Sequence, residues 1–194
     1  MKNLIKQSVI FYILWGGVTA PIPLLAESGS TTGALGADLS ASARINLRII
    51  IPRFLHFQVG SAGTTVDTIT FEPAPDNVGD GVAVAGTGGG AGGSTRVGLR
   101  SNAGQITIVA DNDGGGGGLG SGGAISLSEI TARSDSPDLQ TPQLTDAGGT
   151  TAKAALSGGD VTVRQAIWSY EYSNSRAVEP GSYNAEIVYT AVSP

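Results

Sequence analysis

Two short segments hold the residue types best suited to gripping a cation. Asp76-Asn77-Val78-Gly79-Asp80 and Asp111-Asn112-Asp113 each gather oxygen donors in a turn beside glycine. Calcium takes hard oxygen ligands from such loops and tolerates irregular geometry. Asp76, Asn77, Asp80, Asp111 and Asp113 are therefore the candidate calcium ligands. Neither segment follows the twelve-residue calcium-loop pattern. Asp, Asn and Gly also build ordinary tight turns, so the sequence leaves both readings open.

Catalytic chemistry has little to stand on. There is one histidine, His56, inside a strand-like segment, and no Gly-x-Ser-x-Gly elbow accompanies it. A lone histidine makes no histidine-rich metal site, and general-base chemistry would need a partner that the spacing does not supply. Glycosidase chemistry needs two opposed carboxylates. Asp67, Glu72, Asp76, Asp80, Glu129, Glu171 and Glu186 are available, but sequence cannot pair them. The chain has no cysteine, which excludes thiol catalysis, thiolate metal sites and disulfides. The glycine runs 88–93 and 114–123 lack the Gly-Lys-Ser/Thr of a phosphate loop and the helix that should follow it. The reading is a non-enzyme with no catalytic residues.

The N-terminus gives the firmest address. Met1-Lys2-Asn3-Leu4-Ile5-Lys6 is basic, an apolar run follows from Ser8 to Ala20, and small residues close it. This is the layout of a secretory signal peptide. Cleavage after Ala26 leaves Glu27 first; cleavage after Ala20 would leave Pro21 at the new terminus. Pro21 and Pro23 break the run, which is short for a membrane span. No transmembrane segment is expected after cleavage. The formal net charge is −5, and loss of Lys2 and Lys6 makes the mature chain more acidic still. Binding to nucleic acid through phosphate contacts is not expected.

The elements that must position any site read as strands. Abundant glycine, with Thr, Ser, Val and Ala, favours strands and turns over helices. Residues 27–40 are small and polar, a flexible leader, and residues 41–194 read as a single domain. From Ala41 the pattern has period two: Ile45, Leu47, Ile49 and Ile51 on one face, Arg44, Asn46 and Arg48 on the other. Pro52 interrupts it, and Phe54 to Val59 resumes.

Residues 94–101 and 105–110 both alternate and are joined by Asn102-Ala103-Gly104, which predicts a β-hairpin. Leu139 and Leu144 are expected to pin a long loop to the core. Trp168, Tyr170 and Tyr172 share one face of a strand at 161–172, and bringing in Val163 and Ile167 requires a bulge between them. The aromatic row fits a core, or else an exposed sugar-binding platform. The last strand is the clearest, with Tyr183, Ala185, Ile187, Tyr189 and Ala191 facing one way. The fold class expected is all-β, an antiparallel two-sheet sandwich of immunoglobulin-like or pilin-like form, or a jelly-roll relative.

Three segments carry a resemblance: ARINLRIIIPRFLHFQV at 43–59, NAGQITIVA at 102–110 and PGSYNAEIVYTA at 180–191. With an export signal and a glycine-rich middle, this order resembles secreted pilin-like and fimbrial β-sandwich proteins of Gram-negative bacteria. The resemblance implies a location on the outer cell surface, reached through the periplasm, and a structural or adhesive role in filaments, attachment or biofilm. No family site residue carries over. The leader suggests a route to self-association: Leu35, Ala37 and Leu39 at alternate positions would let it add as a strand to a neighbouring subunit. A monomeric module binding surface glycans or another ligand is the alternative.

Overall fold

The computed structural model describes residues 29–112 and 117–194. The expected signal segment and Asp113 lie outside the described residues. The chain divides into two units, residues 1–50 and residues 51–194.

Among the described residues of the first unit there is no strand. A turn at 34–37, closed by Ala37 N–H donating to the Ala34 carbonyl (3.0 Å), bends the leader. The strand expected from Ala41 does not form. Residues 41–54 join no ladder. Alternation favours an extended chain, but a strand also needs a partner edge, and none of the described residues supplies one to this segment.

The second unit is all-β, and its described residues form ten strands in three antiparallel sheets. They are β1 (Leu55–Val59), β2 (Ile69–Thr70), β3 (Val84–Ala85), β4 (Thr87–Gly88), β5 (Ser94–Ser101), β6 (Thr107–Asn112), β7 (Ile130–Ser134), β8 (Thr150–Lys153), β9 (Thr162–Tyr172) and β10 (Ile187–Val192). In the five-stranded sheet the order is β1-β5-β9, with β3 and β7 pairing the far end of β9 on opposite sides. The three-stranded sheet runs β10-β6-β8, and β2 pairs β4 by itself.

The predicted hairpin of β5 with β6 is corrected: the two lie in different sheets. The connection is a corner rather than a hairpin turn. Ala103 is buried in it, and Gly104 takes φ +90°, a conformation only glycine adopts without strain. Gly104 N–H donates to the Asp160 carbonyl and Thr162 Oγ1 donates to the Gly104 carbonyl, tying the corner to the start of β9. Val97 and Leu99 of β5 and Ile108 and Ala110 of β6 thus enter one core from separate sheets.

The inferred bulge in β9 is also corrected. Its ladder with β5 is unbroken from Thr162 to Ser169. Ala166, Trp168, Tyr170 and Tyr172 point inward, while Val163 and Ile167 are exposed on the outer face. No register shift is needed because those two residues never enter the core.

Trp168 is fully buried, donates from Nε1 to the Leu139 carbonyl (3.1 Å), and meets the Tyr189 ring edge-on at 5.1 Å. That contact joins the five- and three-stranded sheets. Leu139 and Leu144 are buried, pinning the 135–149 loop as expected. β10 pairs with β6 only from Ile187 onward, so Tyr183 and Ala185 precede the ladder.

Candidate functional site

The candidate ligands for calcium separate into different structures. Asp76 and Asn77 lie in a short 3-10 turn, Pro75–Asn77, with Asp80 just after it. The Asn77 main-chain carbonyl and one Asp80 carboxylate oxygen face an amide nitrogen. Asn174 Nδ2 donates to the Asn77 carbonyl (2.7 Å) and to Asp80 Oδ1 (3.0 Å), and its Oδ1 accepts from Gly79 N–H (2.8 Å). Asp80 Oδ1 also accepts from Val82 N–H.

Asn174 is buried at φ 51°, a left-handed conformation that asparagine tolerates better than most residues. It stitches the 77–82 loop to the end of β9. Asp111, on β6, accepts from Asn112 N–H through Oδ1. Among the described residues no group of three or more His, Asp or Glu side chains is placed to hold a metal.

Other acidic residues also serve local structure. Asp67 Oδ2 accepts from Ser61 N–H, Glu129 Oε1 accepts from Ser175 Oγ (2.6 Å), and Glu171 pairs with Arg133 at 3.6 Å. Asp146 had no role in the sequence reading. It accepts from Leu127 N–H (2.6 Å) and Ser126 Oγ (2.8 Å) and anchors the glycine-rich segment before β7. The aromatic row is interior: Trp168, Tyr170 and Tyr172 are all buried, so they form no platform. His56 is exposed on β1, opposite Arg100 of β5.

Two surfaces stand out instead. The first is residues 44–51, an arm whose apolar row is exposed: Ile45 82%, Leu47 85%, Ile49 86% and Ile51 75%. Immediately after it the chain is clamped. Asn102 Nδ2 donates to the Pro52 carbonyl and Asn102 Oδ1 accepts from Phe54 N–H, both at 2.8 Å. Ser101 Oγ donates to the Phe54 carbonyl (2.9 Å). The arm therefore leaves from a fixed point.

The second is a cleft of about 2310 Å³ within residues 51–194. One wall is β1 and the segment after it, with Phe57, Val59 and Phe71; the other is the approach to β10, with Tyr183 and Ile187. Core residues Leu127 and Tyr172 reach its floor. Among the described residues β1 pairs only with β5 and β10 only with β6, so each presents one bare edge. Asp67, Glu72, Glu179 and Glu186 line the cleft with negative charge.

Two tyrosines beneath, Tyr172 and Tyr189, are held neutral. Burial, then neighbouring Tyr170, pushes the Tyr189 hydroxyl far above its ordinary range, and the Tyr170 and Tyr189 hydroxyls lie 3.4 Å apart. Burial, then the Glu129 charge, raises Tyr172.

The sequence signal for the arm was its alternation. The cleft has no local signature, because residues from 56 to 189 must come together to make it. Among the described residues no helix is long and apolar enough to cross a membrane. No family model, curated protein or solved structure matches the chain.

Proposed function

We propose that the chain is a secreted structural or adhesive protein of a Gram-negative cell surface, a filament subunit that self-associates by lending its N-terminal arm to another copy. In this reading the five- and three-stranded sheets are the two layers of a pilin-like sandwich, the protein is not an enzyme, and residues 1–26 are the export signal. The observation that carries the proposal is the exposed alternating row Ile45, Leu47, Ile49 and Ile51. Burying each such side chain is worth about 1.5–3 kcal/mol. An eight-residue strand, roughly 26 Å long, that leaves this unused is a poor monomer surface and a good ligand.

The donated strand is therefore assigned to 44–51 and not to Leu35, Ala37 and Leu39, where the turn at 34–37 breaks the extended path. The acceptor is the cleft. Its apolar lining suits the isoleucine row, a bare edge of β1 or β10 offers a ladder, and its acidic groups complement Arg44 and Arg48. An arm from one copy seated in the cleft of the next makes a heterologous contact, which propagates head to tail without closing.

The test is sedimentation and electron microscopy of the mature chain from Glu27. The wild type should form filaments. Leu47→Asp with Ile49→Asp should leave single subunits with unchanged melting, and a synthetic peptide of residues 41–53 should cap growth. A wild type that stays monomeric at high concentration, or assembly indifferent to both substitutions, overturns the proposal.

A further inference from the structure

We propose that the outer face of the five-stranded sheet binds an acidic polysaccharide, gripping a uronate carboxylate between Arg96 and Arg100 above Gly98. β5 alternates strictly. Thr95, Val97, Leu99 and Ser101 are buried, and Arg96 and Arg100 point outward on either side of Gly98. The ladders fix what surrounds the glycine: Gln58 of β1 and Gln165 of β9 are its direct neighbours, Val163 stands beside Arg100, and Ile167 beside Arg96.

Gly98 has no backbone reason to be glycine, since it is not among the residues with positive φ. It has no packing reason either, since a Cβ added there would meet nothing within 4 Å. Glycine inside a strand weakens it and often marks the close approach of a ligand. Here it leaves an open floor with an amide side chain on each flank and a guanidinium at each end. The two arginine Cα atoms are about 13 Å apart at strand rise, so both long side chains can lean over the glycine.

The two arginines are available. Arg133 and Arg164 are committed to Glu171 and Asp138, but no ion pair or side-chain hydrogen bond engages Arg96 or Arg100 among the described residues. The acidic group near this end, Asp135, accepts from Ile167 N–H through Oδ1. In a chain of net charge −5 such a pair is a local feature and not a general basicity. Guanidinium forks match carboxylates in a bidentate manner. Gln165 suits a sugar hydroxyl, Gln58, whose Nε2 donates to the Gly60 carbonyl (3.1 Å), can still accept one through Oε1, and the exposed flanks of Val163 and Ile167 suit the C–H faces of the ring. Two arginines supply too little charge for nucleic acid, and no Phe, Tyr or Trp occupies these positions to stack a base.

Arg96, Gly98, Arg100 and Gln165 belong neither to the arm nor to the cleft lining, of which Gln58 is a member, so substitutions at Arg96, Gly98 and Arg100 test the site without touching the assembly residues. The mature chain is titrated with polygalacturonate, heparin, dextran and single-stranded DNA. Saturable, salt-sensitive binding to polygalacturonate is expected. Arg96→Gln with Arg100→Gln should weaken it by about tenfold or more. Gly98→Val should do the same by filling the floor, with melting temperature unchanged in both variants. Leu47→Asp with Ile49→Asp should bind as the wild type does. No binding to polygalacturonate, equal binding to dextran or DNA, tighter binding to heparin, or a Gly98→Val protein of wild-type affinity would each overturn the assignment.

Discussion

Residues 44–51 and 187–192 each carry an apolar row at alternate positions, and the two rows end in opposite environments. In β10, Ile187, Tyr189 and Ala191 turn toward the core and every residue pairs with β6, from Ile187 opposite Asn112 to Val192 opposite Thr107. In the arm, Ile45, Leu47 and Ile49 are exposed and join no ladder. Alternation therefore specifies which face of an extended chain wants to leave water. It does not specify where the partner is. β10 finds its partner about eighty residues back in the same chain; the arm, on the account given above, finds it in another copy.

The contrast can be broken most directly by placing one charge in each kind of row. Ile108 is fully buried in β6, the strand that β10 pairs with. Ile108→Asp should cost about 4–5 kcal/mol or more, because an unpaired carboxylate would replace a core side chain, and the protein should not melt cooperatively. Leu47→Asp should move stability by no more than about 0.5 kcal/mol. A comparable loss from both, read by thermal melting of dispersed protein, would mean that the arm is part of the subunit's own core.

A smaller effect tests whether the 77–82 turn is held by asparagine. Asn174→Ala removes donors to Asn77 and Asp80 and the acceptor for Gly79 N–H. A loss of about 2–3 kcal/mol is expected, since buried groups lose their partners. Calorimetry of wild type and variant with calcium and then chelator checks the rest. Wild-type melting that rises with calcium, with little loss in the variant, would return Asp76, Asn77 and Asp80 to the role of cation ligands.

The mildest effect concerns pH. Tyr189 has its folded pKa raised by burial and by Tyr170, while an unfolded tyrosine titrates near about 10. Below that pH both states are protonated and the stability is fully present. Above it the unfolded chain ionises while the folded one holds its proton, so stability falls as pH rises. Melting temperature should be level through neutral pH and decline above about pH 10. Tyr189→Phe should decline less steeply, and an equal decline would place the alkaline sensitivity elsewhere.

Much of the inward–outward pattern was legible. The apolar parity of β5, β6 and β10, the buried Trp168 row and the anchoring of the 135–149 loop by Leu139 and Leu144 all follow from local spacing. Pairing was less so. A three-residue Asn-Ala-Gly link fits a hairpin turn and a sheet-to-sheet corner equally well. Only the long-range bonds from Asp160 and Thr162 decide for the corner. Nothing in the local sequence marks Asn174, because its bonds reach back more than ninety residues to the 77–82 loop. The clean alternation of residues 94–101 did not single out Gly98, whose open floor appears only when Gln58 and Gln165 are set beside it.

Amide hydrogen exchange across residues 44–51, compared between dispersed subunits and assemblies of the mature chain, tests the donated arm most directly. The account predicts fast exchange at Ile45, Leu47 and Ile49 in the dispersed protein and strong protection in the assembly, with new protection along β1 or β10 at the cleft. Arm amides already protected in single subunits, or still exchanging freely within assemblies, would contradict it.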